Sequence, residues 1–323
     1  MNGKHSVKVS DRRVRYIFEL VRNITVVQGN SGTGKTTLFD MISAYTRLKE
    51  RSGVRIDCDM PCVALHADSD WQVRLENIHD SIVFIDEDAD YISTHDFASA
   101  VRHTDNYYVI FCRESLHELP YSVEEVYEIR TSKKIHTFHK VYHKQKDCVY
   151  AKAGGKAKAS VLLTEDSRAG YQFYQHYYDG TSVTCCSAGS NSGIFSWLRE
   201  HHEEKVFVVA DGAAFGAEMN RVMELQHQFS DKITLCLPEC FEWLILQSGL
   251  INSPGLDEML ENPSDDIDPQ RYFSWENYFE DYLVQQTAGT HYAYSKSKIH
   301  RFYTVRENSG RIVALIAANM PKA

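Results

Sequence analysis

No run of this sequence approaches the roughly 18 apolar residues that a membrane-spanning helix needs, so a transmembrane segment is not expected. Behind Met1-Asn2-Gly3-Lys4-His5-Ser6 stands no apolar signal region, which points to a cytoplasmic protein rather than a secreted one. Cys-x-x-Cys pairs are missing too. The eight cysteines (58, 62, 112, 148, 185, 186, 236 and 240) are scattered, several inside apolar runs. A thiol in such a run acts as a small hydrophobe, so reduced cysteines are expected rather than disulfides or a zinc site. Excess positive charge is absent as well. A formal charge of −9 over 323 residues excludes wholesale coating of nucleic acid, though not a local site. The chain is 43% hydrophobic and 24% charged, a soluble globular composition with length for two domains.

Against that background one stretch stands out. Gly29-Asn30-Ser31-Gly32-Thr33-Gly34-Lys35-Thr36 fits Gly-x-x-x-x-Gly-Lys-[Ser/Thr]. Ile24-Thr25-Val26-Val27 before it predicts a short buried strand. The apolar spacing of residues 37–45 after it predicts a helix running to Gly53, a C-cap. A strand, a glycine loop and a helix N-terminus make an anion site, because the loop turns its N–H groups inward and the helix dipole favours phosphate. Gly29, Asn30, Ser31, Gly32, Thr33, Gly34, Lys35, Thr36 and Thr37 are therefore the expected phosphate contacts, with Lys35 reaching the terminal phosphates and Thr36 offering its hydroxyl to Mg²⁺. A second signal is Ser81-Ile82-Val83-Phe84-Ile85-Asp86-Glu87-Asp88, a buried strand with acids at its carboxyl end. Open α/β sheets place ligand chemistry there. Asp86 is the expected Mg²⁺ ligand, and Glu87 the expected base for an attacking water. A third strand, Tyr107 to Cys112, ends at Arg113.

These residues give the first half a resemblance to a minimal P-loop ATPase of the AAA-like class, with Walker A and Walker B motifs and a glutamate after the Walker B aspartate. The resemblance implies about five parallel strands with intervening helices over residues 1–130, a catalytic set of Lys35, Glu87 and Arg113 (the last as a sensor near the γ-phosphate), and self-assembly. No Asn/Thr-Lys-x-Asp motif for guanine is present, so ATP is the expected nucleotide. Residues 1–23 are expected as an edge element or cover. Val54–Asp59, Pro61–Ala67 and Val126–Arg130 are expected as further strands.

Residues 131–159 are expected as a basic hairpin and linker. Lys133, Lys134, Lys140, Lys144, Lys146, Lys152, Lys156 and Lys158 face only Asp147, a local excess of seven positive charges. Alternation over Ile135–Tyr142 suggests the hairpin, and Ala153-Gly154-Gly155 a flexible connection. The strip is either a solvated linker or a contact for a phosphate backbone. From residue 160 a second α/β unit is predicted, with strands at Ser160–Glu165, Ser182–Cys186, Lys205–Asp211 and Lys232–Leu237. Glu165 ends the first strand, Gly189 sits in the turn after the second, and Asp211 ends the third. That order resembles a TOPRIM domain, as found in topoisomerases, primases and OLD-family and related defence nucleases. The resemblance spans residues 160–250 and implies that Glu165 and Asp211 hold Mg²⁺ or Mn²⁺, hard cations that prefer oxygen. One departure is plain: the second aspartate of Asp-x-Asp falls at Ala213, and Glu218 is the nearest substitute. Residues 251–323 are expected as a helical and mixed extension. Its stretch of Tyr292, Tyr294, Lys296, Lys298, His300, Arg301 and Tyr303 has the chemistry of a single-strand contact.

The expected function is an ATPase that controls a TOPRIM-like, degenerate or active metal-dependent nuclease acting on nucleic acid. Two rivals are an ATP-driven switch that binds a protein partner, and a small-molecule phosphotransferase.

Overall fold

Apolar residues alternate at Val7 and Val9 and again at Tyr16, Phe18 and Leu20, and each set is buried on one face of a strand. These strands, β1 (His5–Ser10) and β2 (Arg15–Leu20), pair antiparallel and open the chain. In the computed structural model residues 3–30, 32–154, 158–318 and 320–321 are described. Ser31, an expected phosphate contact, and Gly155 and Lys156 of the basic stretch lie outside the described residues. The chain is an α/β protein, with two sheets among the described residues. It divides into two units, one reaching to Val141 and including Asn262–Phe273, the other holding Tyr142–Glu261 and the residues from Ser274 onward.

The first unit continues with β3 (Ile24–Gln28), β4 (Arg55–Asp57), β5 (Cys62–Leu65), β6 (Ile82–Ile85), β7 (Tyr107–Cys112), β8 (Val126–Ser132) and β9 (Ile135–Lys140). Its nine-stranded sheet has the order β4-β1-β2-β9-β8-β3-β7-β6-β5. Five of these, β8, β3, β7, β6 and β5, run parallel. Of these, β5, β6 and β7 are continuously apolar and β3 nearly so, as strands covered on both faces require, whereas β8 carries Glu128 and Arg130. Helix α1 (Lys35–Leu48) packs Leu38, Phe39, Met41 and Ile42 into the core, and Gly53 at φ 75° ends the turn that follows it. Two short helices, α2 (Trp71–Leu75) and α3 (His95–Val101), complete the unit.

Three expectations change here. Residues 1–23 are not an edge or a cover, because β1 and β2 lie inside the sheet, between β4 and β9. The Val54–Asp59 strand is not in the parallel set, because β4 pairs antiparallel with β1 at the far edge. The alternating stretch expected as a hairpin supplies one arm only, β9, which turns at Lys133 (φ 57°) to pair antiparallel with β8, so it is sheet rather than linker.

In the second unit the strands are β10 (Val149–Ala151), β11 (Val161–Thr164), β12 (Thr184–Ser187), β13 (Val206–Val209) and β14 (Ile233–Cys236). Their order is β10-β14-β13-β11-β12, with all but β10 parallel. The helices are α4 (Ala169–Tyr177), α5 (Asn191–Glu200), α6 (Met219–Gln228), α7 (Phe241–Gln247), α8 (Leu256–Glu261), α9 (Trp275–Thr287), α10 (Arg301–Thr304) and α11 (Arg306–Ala314). Residues 251–323 are not a separate extension. Phe279, Leu283, Tyr303, Ile312 and Val313 share one core with Leu162, Phe207 and Leu244, while residues 262–273 belong to the first unit.

Candidate functional site

In the first unit the strand register brings three segments to one end of the sheet. Gln28 is level with Cys112, and Ile85 with Ile110, on parallel strands. The glycine loop after β3, the acids after β6 and Arg113 after β7 therefore leave the sheet side by side. Gly29 (φ 146°), Gly32 (φ 85°) and Gly34 (φ 99°) adopt backbone conformations that side chains rarely tolerate. Asn30 and Gly32 are exposed, and the Thr33 hydroxyl donates to the Asn30 carbonyl at 3.2 Å. Gly34 stands at the N-terminus of α1 and starts it by accepting from the Leu38 N–H at 3.0 Å. Thr36 and Thr37 lie on the first turn of α1.

Lys35 is only 3% exposed. A buried ammonium must be paired, and this one donates to the carbonyls of Gly29 and, at 3.1 Å, Asn30. Its Nζ also lies 3.3 Å from Glu87 Oε2. That contact is an ion pair outside hydrogen-bond geometry, since Oε2 accepts no hydrogen bond. The other oxygen, Oε1, accepts from Arg113 Nε at 3.0 Å and Nη2 at 2.5 Å. Glu87 thus sits between two cations, and the Arg113 hydrogen bond, then Lys35, hold its carboxyl below the usual range despite desolvation. Asp86 is pushed the other way. Burial raises it first, and the neighbouring charges of Asp88, Glu87 and Asp40 add to the effect, while the Glu87 N–H on Oδ1 at 2.9 Å opposes it.

Two residues of this site escaped sequence reasoning. The Tyr16 hydroxyl donates to the Gly34 carbonyl at 2.9 Å, and its ring stacks on His136 with centroids 4.5 Å apart. A Cβ on Gly34 would lie 2.9 Å from that hydroxyl and 3.4 Å from His136 Nδ1. The loop therefore rests on β2 and β9. No local pattern announces this, because it depends on which strands pair.

The second unit also gathers acids at its strand ends. Its parallel strands, taken in chain order, stand second, first, third, fourth, which puts a topological switch point between β11 and β13. Glu165 and Asp211 leave those two strands, and the Asp211 N–H donates to Glu165 Oε2 at 3.1 Å. Around them a cavity of about 40 Å³ is lined by Thr164, Glu242, Lys296 and others. That volume holds one to a few water molecules. Glu242 is 1% exposed; its Oε1 accepts from the Tyr294 hydroxyl at 2.5 Å, and its Oε2 accepts no hydrogen bond. Lys296 donates to Glu276 at 2.5 Å and to Glu280 at 3.1 Å. Burial raises Glu165 to about 7 and lifts Asp211 and Glu242 as well, with Lys296 opposing the shift in all three.

Other expected residues fall elsewhere. Ala213 is buried in the turn after β13. Glu218 does not take the place of the missing aspartate: it pairs with Arg221 and is not among the residues lining the cavity. Tyr294 and Tyr303 are core, so they offer no face for stacking bases. Within the lysine-rich stretch, Lys140 pairs with Glu124, and Lys158 donates to the Met320 carbonyl at 3.1 Å.

Among the described residues no group of three or more His, Cys, Asp or Glu side chains is arranged to hold a metal ion, and no helix is long and apolar enough to cross a membrane. Neither a family model, nor a curated protein, nor a solved structure matches the chain.

Proposed function

We propose that the first unit binds ATP with Mg²⁺ and hydrolyses it. The observation that carries this reading is the buried Lys35 held between the glycine loop and Glu87, with Arg113 on the far side of that carboxylate. A lysine so placed has partners it can exchange for phosphate oxygens, beside a glycine loop at a helix N-terminus. The parallel order β8-β3-β7-β6-β5 supports the P-loop reading, since it sets the loop strand and the acidic strand on either side of the Arg113 strand.

The roles follow from position. Loop amides and Lys35 bind the phosphates. Thr36 and Asp86 would hold Mg²⁺. Asp86 suits that role, because a desolvated carboxyl among Asp88, Glu87 and Asp40 is relieved by a divalent cation. Bound Mg²⁺ supplies charge neutralisation on the phosphate oxygens. Glu87, kept ionised by its two cations, orients the attacking water and takes its proton. Arg113 holds Glu87 in place.

For the second unit we propose a TOPRIM-like platform, governed by the ATPase, that engages nucleic acid or a protein partner without a working two-metal nuclease centre. Ala213 and the lysine among the acids favour this over metal-dependent cleavage. The ATPase is tested by steady-state hydrolysis. Lys35→Ala should abolish turnover, and Glu87→Gln should lower kcat by about 10²–10⁴-fold while leaving ATP binding intact. Undiminished turnover in Glu87→Gln would remove the base from the account.

A further inference from the structure

The crevice at the ends of β11 and β13 has the acids of a divalent-cation site but not its charge balance. Glu165, Asp211 and Glu242 line it together with Lys296, and Glu276 and Glu280 hold the lysine by hydrogen bonds of 2.5 and 3.1 Å. Lys296 is placed firmly. The segment that carries it is tied to α4, with the Ala169 N–H donating to the Lys296 carbonyl at 2.9 Å. Gln172 accepts from the Ile299 N–H at 3.0 Å and donates to the Ser297 carbonyl at 3.0 Å. Tyr294, two residues before the lysine, is fixed on Glu242. The ammonium is largely shielded, its side chain 15% exposed, and the surrounding carboxylates hold its proton more firmly than usual. One oxygen of Glu165 is already taken by the Asp211 N–H, and Glu242 Oε2, buried and without a donor, is left to the field of the lysine.

We propose that Lys296 is a tethered cation standing in for a divalent ion, so that the wild-type second unit holds its strand-end acids together without metal. A unipositive ammonium on a fixed strap offsets part of the acidic charge. Mg²⁺ or Mn²⁺ entering the crevice has to displace it, in a space of about 40 Å³. The inference does not rest on the ATPase reading, and either stands if the other fails. It argues against a metal-dependent nuclease.

The test is Mn²⁺ binding to the full nucleotide-free chain, read from the electron paramagnetic resonance signal of free Mn²⁺. Five proteins are compared: wild type, Asp211→Asn, Lys296→Met, Lys296→Met with Asp211→Asn, and Lys296→Arg. Asp211→Asn subtracts any Mn²⁺ held near Asp86. Wild type and Asp211→Asn should titrate alike, while Lys296→Met should gain one site at least ten-fold tighter, lost in the double variant. If Lys296→Met is too unstable to titrate, a Mn²⁺-dependent rise in its melting temperature, absent in the double variant, supports the proposal, and no rise overturns it. Lys296→Arg, which keeps the charge, should behave as wild type. A tight Asp211-dependent Mn²⁺ site in the wild-type protein would overturn the proposal, as would a Lys296→Met protein that folds but gains none.

Discussion

Glu87 is the residue whose neighbours matter most. Its two oxygens are divided between Lys35 and Arg113, so its protonation reports on both. Removing Arg113 takes away the largest influence holding the carboxyl down. If hydrolysis needs ionised Glu87, the acid limb of the pH–kcat profile should move to higher pH in Arg113→Ala, because a less stabilised carboxylate takes up its proton sooner as pH falls. An unmoved limb would mean that Arg113 serves the phosphates rather than Glu87. The sequence singled out Lys35, Asp86, Glu87 and Arg113 from short motifs, and parallel register is what brings the loop, the acids and the arginine to one end. Neither the Lys35–Glu87–Arg113 pairing nor the Tyr16–His136 shelf under Gly34 was legible, since both depend on side-chain packing between strands remote in sequence.

At the scale of elements, continuous apolar runs marked β6 and β7 of the first sheet and β11 and β13 of the second, because a strand buried on two faces has no polar side to blur the pattern. The β1–β2 alternation was there to be read in Tyr16, Phe18 and Leu20, but alternation alone does not say whether a strand lies at an edge or inside a sheet. The end of β12 makes a sharper prediction. Ser190 caps α5 by accepting from the Gly193 N–H at 3.1 Å, and Gly193 lies so close to the preceding loop that a Cβ would stand 2.3 Å from the Ala188 carbonyl oxygen. Ser190→Ala should cost about 1 kcal/mol, the worth of one cap. Gly193→Ala should cost more, about 1–3 kcal/mol, because backbone rather than a flexible side chain has to move. Urea denaturation orders the two, and equal losses would place the importance of Gly193 elsewhere.

For the whole molecule, the chain order of the units was the least legible feature. Residues 262–273 return to the first unit between two stretches of the second, held by the Gly3 N–H on the Ser264 carbonyl at 2.7 Å and by Asn23 on the Phe273 carbonyl at 2.9 Å. Pro263 and Pro269 mark an acidic loop there, but composition does not say which unit a loop packs against. Global stability should also carry the mark of Glu125, which is 2% exposed, lies 3.8 Å from Arg22 and accepts from the Thr25 hydroxyl at 3.2 Å. Burial raises its carboxyl from 4.5 to about 7, against the opposing charges of Arg22 and Lys140. A raised acid contributes stability that is present below the unfolded value and is lost as pH rises through the folded one. Between about pH 4.5 and 7, Glu125→Gln should therefore flatten the stability profile by up to about 1.4 kcal/mol per pH unit. Parallel wild-type and variant profiles would show that Glu125 is ionised throughout.

The most direct test of the central claim is calorimetric titration of ATP with Mg²⁺ into the full chain, beside Lys35→Ala. Saturable binding at one site per chain is expected in the wild type, strengthened by Mg²⁺ and lost in Lys35→Ala. Binding that survives Lys35→Ala unchanged, or no binding in the wild type, would contradict the claim.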